Sequence, residues 1–319
     1  MHGIVSAGEF SPAVFFFERG NSMRILNFGS LNIDDVYSVD HFVLPGETIA
    51  PISYEQFPGG KGLNQSVALA RAGADVYHAG KVGADGMFLR SLLSENGVHT
   101  DYLETADAAN GRAIIQVDKT GQNCIILYGG TNRTITEEQV EKTLDAFGEN
   151  DWLLLQNELN CTKELIAAGK RRGMTVVFNP SPFDASILSL PLEQVDWFFV
   201  NELEGSALSG GETAPEAILD GIRSRYPNAK IVLTLGKDGV IADDGKTRAA
   251  HGIFEVPTVD TTAAGDTFSG YFLASATSGV SLEEAVKIAS AASAIAVSRK
   301  GASVSIPSKE EVQEFLANV

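Results

Sequence analysis

From Met23 onward, short β-branched and aromatic runs alternate with segments of helical length, and this restricts the fold more than any other property of the chain. Strand-like runs fall at residues 25–28, 75–79, 152–156, 175–179, 197–200 and 231–234. Helix-length segments fall at 62–72, 87–96, 137–147, 162–172, 202–208, 215–225, 265–278, 282–299 and 309–317. Strands separated by helices imply a mostly parallel sheet covered on both faces, hence an α/β domain with ligands beyond the carboxyl ends of the strands. A further β-like run at 252–259 leads into the helix at 265. Two regions break the alternation, at about 35–57 and 110–128, where short β-like pieces carry turn signals such as Pro45-Gly46. They suit a small β-sheet projecting from the main domain as a lid.

The 319 residues are 44% hydrophobic and 20% charged, as in ordinary soluble globular chains. A formal net charge of −17 argues against a nucleic-acid partner or an anionic membrane surface, both of which call for basic patches. Cys124 and Cys161 form no CxxC pair, so neither a disulfide framework nor a zinc site is expected, and a reducing cytoplasm is. No apolar run approaches the roughly 18 residues of a membrane span. Residues 1–22 read as a tag remnant or upstream extension, with residues 23–319 as the folded domain.

Seven segments carry groups suited to chemistry. Asp260-Thr-Thr-Ala-Ala-Gly-Asp266 opens a helix with three nearly side-chain-free residues, Ala263, Ala264 and Gly265, whose N–H groups can approach an anion. An acidic residue in that turn makes sense if Asp266 accepts a proton from a hydroxyl attacking phosphate. Gly59-Gly60-Lys61-Gly62-Leu63-Asn64-Gln65 precedes the first long helix but lacks the GxxxxGK[ST] spacing of a Walker loop. It offers N–H groups, one ammonium and one amide, donors suited to sugar hydroxyls. Asn32 and Asp34, two apart on an extended chain, point to one side as a bidentate hydroxyl site or as an Asx turn. Glu158 follows one strand end; Asn201 and Glu204 follow another, as helix caps or as phosphate and magnesium contacts. Thr234-Leu-Gly236-Lys-Asp-Gly239 allows a ligand to lie against backbone, and 298–305 leaves a helix whose terminal carbonyls could coordinate a cation.

Taken in this order, these segments resemble the ribokinase-like (PfkB) family of carbohydrate kinases, over about 23–319. The resemblance implies a three-layer α/β/α fold with a β-sheet lid and ATP-dependent transfer of the γ-phosphoryl group to a sugar's primary hydroxyl. D-ribose going to ribose 5-phosphate is the expected reaction. It makes Asp266 the general base and Ala263, Ala264 and Gly265 the anion hole. Asn32, Asp34, Gly60, Lys61, Asn64 and Glu158 would hold the sugar, and Asn201, Thr234, Gly236, Gly239, Gly265 and Ser290 the ATP. Glu204 would organise Mg2+ through water. Asp260, Thr262, Ala296, Arg299, Gly301 and Ser305 match a monovalent cation site, usually K+, several through backbone carbonyls. A homodimer through the lid is also implied. Fructokinase, 2-keto-3-deoxygluconate kinase and nucleoside kinase activities, or a non-catalytic sugar-binding role, are the alternatives on the same scaffold.

Overall fold

The computed structural model describes residues 23–319; the reading of residues 1–22 as an extension lies outside the described residues. The chain begins with β1 (Arg24–Phe28), β2 (Asn32–Ser38), β3 (Ser53–Gly59), α1 (Lys61–Arg71), β4 (Asp75–Gly83), α2 (Met87–Glu95) and β5 (His99–Ala106). It continues through β6 (Gly111–Val117), β7 (Asn123–Tyr128), α3 (Glu137–Leu144), β8 (Trp152–Gln156), α4 (Thr162–Arg171), β9 (Thr175–Asn179) and β10 (Trp197–Asn201). The last third holds α5 (Glu202–Ser209), α6 (Pro215–Arg225), β11 (Lys230–Thr234), β12 (Val240–Asp243), β13 (Arg248–His251), α7 (Ala264–Thr277), α8 (Leu282–Val297) and α9 (Lys309–Ala317).

A nine-stranded sheet runs β13-β12-β11-β10-β9-β8-β1-β4-β5. It is parallel from β11 to β5, with β12 and β13 antiparallel at one edge. The side-chain period of two sorts its residues onto opposite faces. Leu154, Val177, Phe199 and Val232 pack with Leu63, Val67, Phe268 and Phe272 of α1 and α7. Leu153, Leu155, Phe178, Phe198 and Leu233 pack with Val140, Leu165, Leu208 and Ile218 of α3 to α6. Helices therefore cover both faces, giving the expected three layers. β1 lies between β8 and β4, so strand order reverses there and opens a crevice at their carboxyl ends. Residues just past β1 and β8 meet in that crevice.

A separate four-stranded sheet, β3-β2-β6-β7, occupies the two regions expected for it. Its first rung, Asn32 paired with Gly59 and with Gly111, starts beside the crevice. Its edge strand β7 is exposed along its whole length.

Two local expectations are corrected. Residues 252–259 form no strand, and sheet pairing ends at His251. Pro257 has no N–H to give a ladder, and Phe254 packs edge-on against Phe315 of α9. Conversely, β5 is a true strand without an expected counterpart, because an edge strand reading His-Thr-Asp-Tyr-Leu-Glu-Thr-Ala lacks the apolar alternation that marks buried ones.

Candidate active site

The start of α1 is pressed against the loop after β1, which requires glycine at two positions. Gly60, the residue before the helix, has φ +96°, and a Cβ built on Gly62 would stand 2.3 Å from the Ser30 backbone nitrogen. This close approach brings three segments onto one carboxylate. Glu158 accepts from the Lys61 backbone N–H at 2.8 Å, from Asn32 Nδ2 at 3.2 Å and from the Ser30 hydroxyl. Asn132 Nδ2 donates to Asn32 Oδ1 at 2.7 Å, so the amide of Asn32 must turn its nitrogen toward Glu158. Asp34 shares that face, as its spacing from Asn32 predicts. Burial, reinforced by the charges of Glu158 and Asp35, raises its pKa to about 7. Asp35 points the other way and binds Arg112, Tyr54 and Gln56.

Asp266, 6% exposed, lies in the first turn of α7. Asn64 Nδ2 donates to its Oδ2 at 3.1 Å and Gln65 Nε2 to its Oδ1 at 2.8 Å. Asn64 Oδ1 is buried without a protein partner, an acceptor left for a ligand hydroxyl. The preceding Ala263 is left-handed, φ +60°, a strained conformation for a side-chain-bearing residue. The Ala264 N–H bonds the Thr261 carbonyl at 3.2 Å, so of the three expected anion-hole residues it is the one already engaged. Gly265 and Asp266 N–H groups belong to the first turn, where the helix supplies no acceptors.

In front of that turn opens a cleft of roughly 210 Å³, lined by Lys61, Asn201, Glu204, Thr234, Gly265 and Asp266 among others. Burial lowers the Lys61 pKa, but the surrounding Asp266, Glu158 and Glu204 carboxylates outweigh it and leave the ammonium raised. Burial raises the Glu204 pKa against the opposing effect of the Asn201 N–H and Lys61. Asn201 and Glu204 form a reciprocal capping box at the start of α5, at 3.0 Å each way. The cap and contact readings are compatible, because the box leaves Asn201 Nδ2 uncommitted, while the Glu204 carboxylate also meets the Ser181 side chain. Gly239 (φ +94°) follows the turn after Thr234, and a Cβ there would strike the His251 carbonyl at 2.1 Å. Gly236, Gly239 and Ser290 are not among the residues lining the cleft, and Ser290 sits on α8 at 9% exposure.

Behind the start of α7, Asp260 accepts from the Thr262 N–H at 2.9 Å and the Gly301 N–H at 3.0 Å, joining two loops. Burial opposes its ionisation, but these hydrogen bonds and Lys300 leave its pKa lowered. Ala296 O accepts from Arg299 N at 3.1 Å, while the Arg299 side chain turns away to Glu311 at 2.6 Å. Ser305 is buried and donates to Ala302 O. Among the described residues no group of three or more His, Cys, Asp or Glu side chains could hold a metal. Any monovalent ion here would rest mainly on backbone oxygens, and a divalent ion on few protein ligands.

Ser30, Gln65, Asn132 and Gln156 belong to these networks and were not singled out from sequence. Gln65 closes the glycine-rich motif read from sequence, though with no role given to it, and Ser30 lies just before Asn32. Asn132 and Gln156 carry no local signal, because their partners lie about a hundred residues away.

Comparison with known proteins points one way. The pfkB family carbohydrate kinase model matches residues 23–309. A ribokinase of Haemophilus influenzae is 39% identical over 298 residues, covering 90% of this chain and 96% of the relative. The structure of a Cryptococcus neoformans ribokinase in complex with ADP superposes with a TM-score of 0.79 at 34% identity, covering 92% and 99% of the two chains. That of Arabidopsis thaliana ribokinase with ribose and ATP gives 0.80 at 28% identity, covering 92% and 98%.

Proposed function

This chain belongs to the pfkB family of carbohydrate kinases, and we propose that it transfers the γ-phosphoryl group of ATP to the primary hydroxyl of D-ribose, giving ribose 5-phosphate. The observation that carries the reading is the position of Asp266, held by two amides between an acceptor-rich crevice and a cleft with a helix start at its floor.

Ribose binds in the crevice. Asp34 and Glu158 accept from its hydroxyls, while Asn32, Asn64, the Gly60 backbone and Lys61 complete the set. ATP occupies the cleft, its phosphates near Asn201 and Thr234 and its base toward Gly236, Gly239 and Ser290. The Asp266 carboxylate takes the proton of the attacking hydroxyl as the oxygen–phosphorus bond forms. Ala263 and Gly265, with the helix dipole, receive the charge on the transferring phosphoryl group, and the Lys61 ammonium adds a cation at the same place. Positioning and charge stabilisation supply most of the rate, since phosphoryl transfer needs little covalent help from protein.

Magnesium, when bound, neutralises phosphate charge, and the Glu204 carboxylate, which lines the cleft, is the group suited to hold one of its waters. The sparse carboxylates fit an ion carried largely by the nucleotide. A potassium ion fits behind the anion hole, among Asp260, Thr262, Gly301, Ser305 and the carbonyls of Ala296 and Arg299. The small sheet acts as a lid over the sugar, and its exposed apolar edge, including Ile125, Ile126 and Leu127, suits a homodimer. No described helix is long and apolar enough to cross a membrane.

The test is ADP release with a panel of ribose, fructose, 2-keto-3-deoxygluconate and nucleosides, in potassium and in sodium. Turnover is expected with ribose and to be greater in potassium. Preference for another acceptor would overturn the substrate, and silence with every acceptor would overturn the kinase reading.

A further inference from the structure

We propose that Gln65 is a positioning residue for Asp266, and that two chains of amides, each anchored on a backbone carbonyl, dictate which end of Gln65 faces that carboxylate. The proposal rests on the reading of Asp266 as the base.

Gln65 is fully buried, and both ends of its amide are engaged. Nε2 donates to Asp266 Oδ1 at 2.8 Å and to Asn179 Oδ1 at 3.3 Å, while Oε1 accepts from Gln156 Nε2 at 2.7 Å. An isolated amide could turn either end toward Asp266, and the wrong end would set oxygen against oxygen. The surroundings forbid it. The Gly62 carbonyl can only accept, so the Asn27 atom 2.8 Å from it must be nitrogen. Asn27 Oδ1 therefore faces Gln156, which must answer with Nε2 at 3.0 Å. The same Gln156 nitrogen then faces Gln65, leaving Gln65 Oε1 to accept and Nε2 to reach Asp266. A second chain makes the same demand. The Phe199 carbonyl accepts from Asn179 Nδ2 at 2.8 Å, which turns Asn179 Oδ1 toward Gln65 Nε2.

Two acceptors that cannot change role thus require an N–H donor at the carboxylate. That donor fixes one carboxylate oxygen and opposes rotation of the carboxylate away from the cleft. Asn64 serves the other oxygen but also lines the sugar crevice. Gln65 is not among the residues lining the cleft and acts through Asp266.

Steady-state kinetics test this with three variants. Gln65→Leu removes the donor, and Gln65→Glu keeps the shape while setting an acidic group against Asp266. Gln156→Leu frees the far end of the Gln65 amide without touching Asp266. Both Gln65 variants are expected to lower kcat about 10–100-fold with the KM values for ribose and ATP within about threefold, and Gln156→Leu to lower kcat about 3–10-fold in the same pattern. In an Asp266→Asn background none should reduce the residual rate by more than about twofold, because a residue acting through the base has nothing left to act on. Wild-type kcat in both Gln65 variants, or losses that multiply with that of Asp266→Asn, would overturn the proposal. If Gln65→Leu fails to fold, the isosteric Gln65→Glu and Gln156→Leu decide it alone. The kinase reading is judged separately, by wild-type turnover of ribose and its loss in Asp266→Asn.

Discussion

The two halves of the site are built from different materials. The crevice beside β2 is made of charged and amide side chains joined across the sequence: Glu158 binds Ser30, Asn32 and Lys61, and Asn132 binds Asn32. The cleft in front of α7 is made mostly of backbone and small residues, with Asn201 and Glu204 already paired in a helix cap. A neutral polyol offers hydroxyl donors in several directions and is best gripped by carboxylates held apart by neighbours. A polyphosphate brings its own negative charge and is best met by N–H groups, one ammonium and few acidic groups. Lys61 and Asp266 lie on the seam, where the proposed transfer takes place. Changes in either half should therefore move one KM, and changes on the seam should move kcat.

The seam is the place to test this first, because the largest effect is expected there. Asp266→Asn keeps the volume and an acceptor for Asn64 or Gln65 but removes the base. Turnover should fall by roughly 10²–10⁴-fold with ribose affinity near normal, read by calorimetry for binding and by ADP release for rate. Wild-type turnover in that variant would take the base assignment away and dissolve the seam.

The same contrast explains what was legible in the sequence. The floor of the cleft is contiguous, with Asp260 to Asp266 supplying the helix start, the small residues and the acid in one stretch. Gly59 to Asn64 was legible for a related reason, since its glycines answer a local backbone demand. The helices and central strands also declared themselves, because burial on both faces leaves continuous apolar runs such as those of β8 and β10. The amides behind the crevice did not. Asn132, Gln156 and Asn27 make their contacts across 100, 91 and 35 residues respectively, and a lone Asn or Gln reads as a surface residue until its partner is known. The strand expected at 252–259 failed for the opposite reason, Phe254 packing on a helix while Ile253 and Val259 stay exposed and the backbone pairs with no sheet.

The crevice half has its own signature, in which binding and stability oppose each other. Asp34 is kept there at a pKa of about 7 against an ordinary 3.8. The folded-state value is raised, so the stability this group contributes is full below 3.8 and is lost as pH climbs through about 7. Asp34→Asn should thus raise the melting temperature of the sugar-free protein by a few degrees at pH 8, with a smaller gain at pH 5. It should also raise the KM for ribose about 10–100-fold while leaving that for ATP unchanged. In the wild-type protein kcat/KM for ribose should rise as pH passes through about 7, as Asp34 ionises into its accepting form. A melting temperature that does not respond to the substitution at any pH would show that this carboxylate is not held against its own charge.

The cleft half should answer more weakly, because Asn201 is exposed and, in the proposed function, shares the phosphate with backbone groups. Asn201→Ala should raise the KM for ATP about 3–10-fold and leave that for ribose within experimental error. It also removes the side-chain acceptor from the Glu204 N–H, a helix cap worth about 1 kcal/mol, so the melting temperature should fall by about 2 °C. The two effects separate on Asn201→Asp, which restores the cap acceptor but sets a carboxylate against the phosphates. Stability should return to the wild-type value while the KM for ATP rises further. If Asn201→Asp instead recovered ATP binding together with stability, the capping box alone would account for Asn201, and the cleft would owe its affinity to the start of α7 and to Lys61.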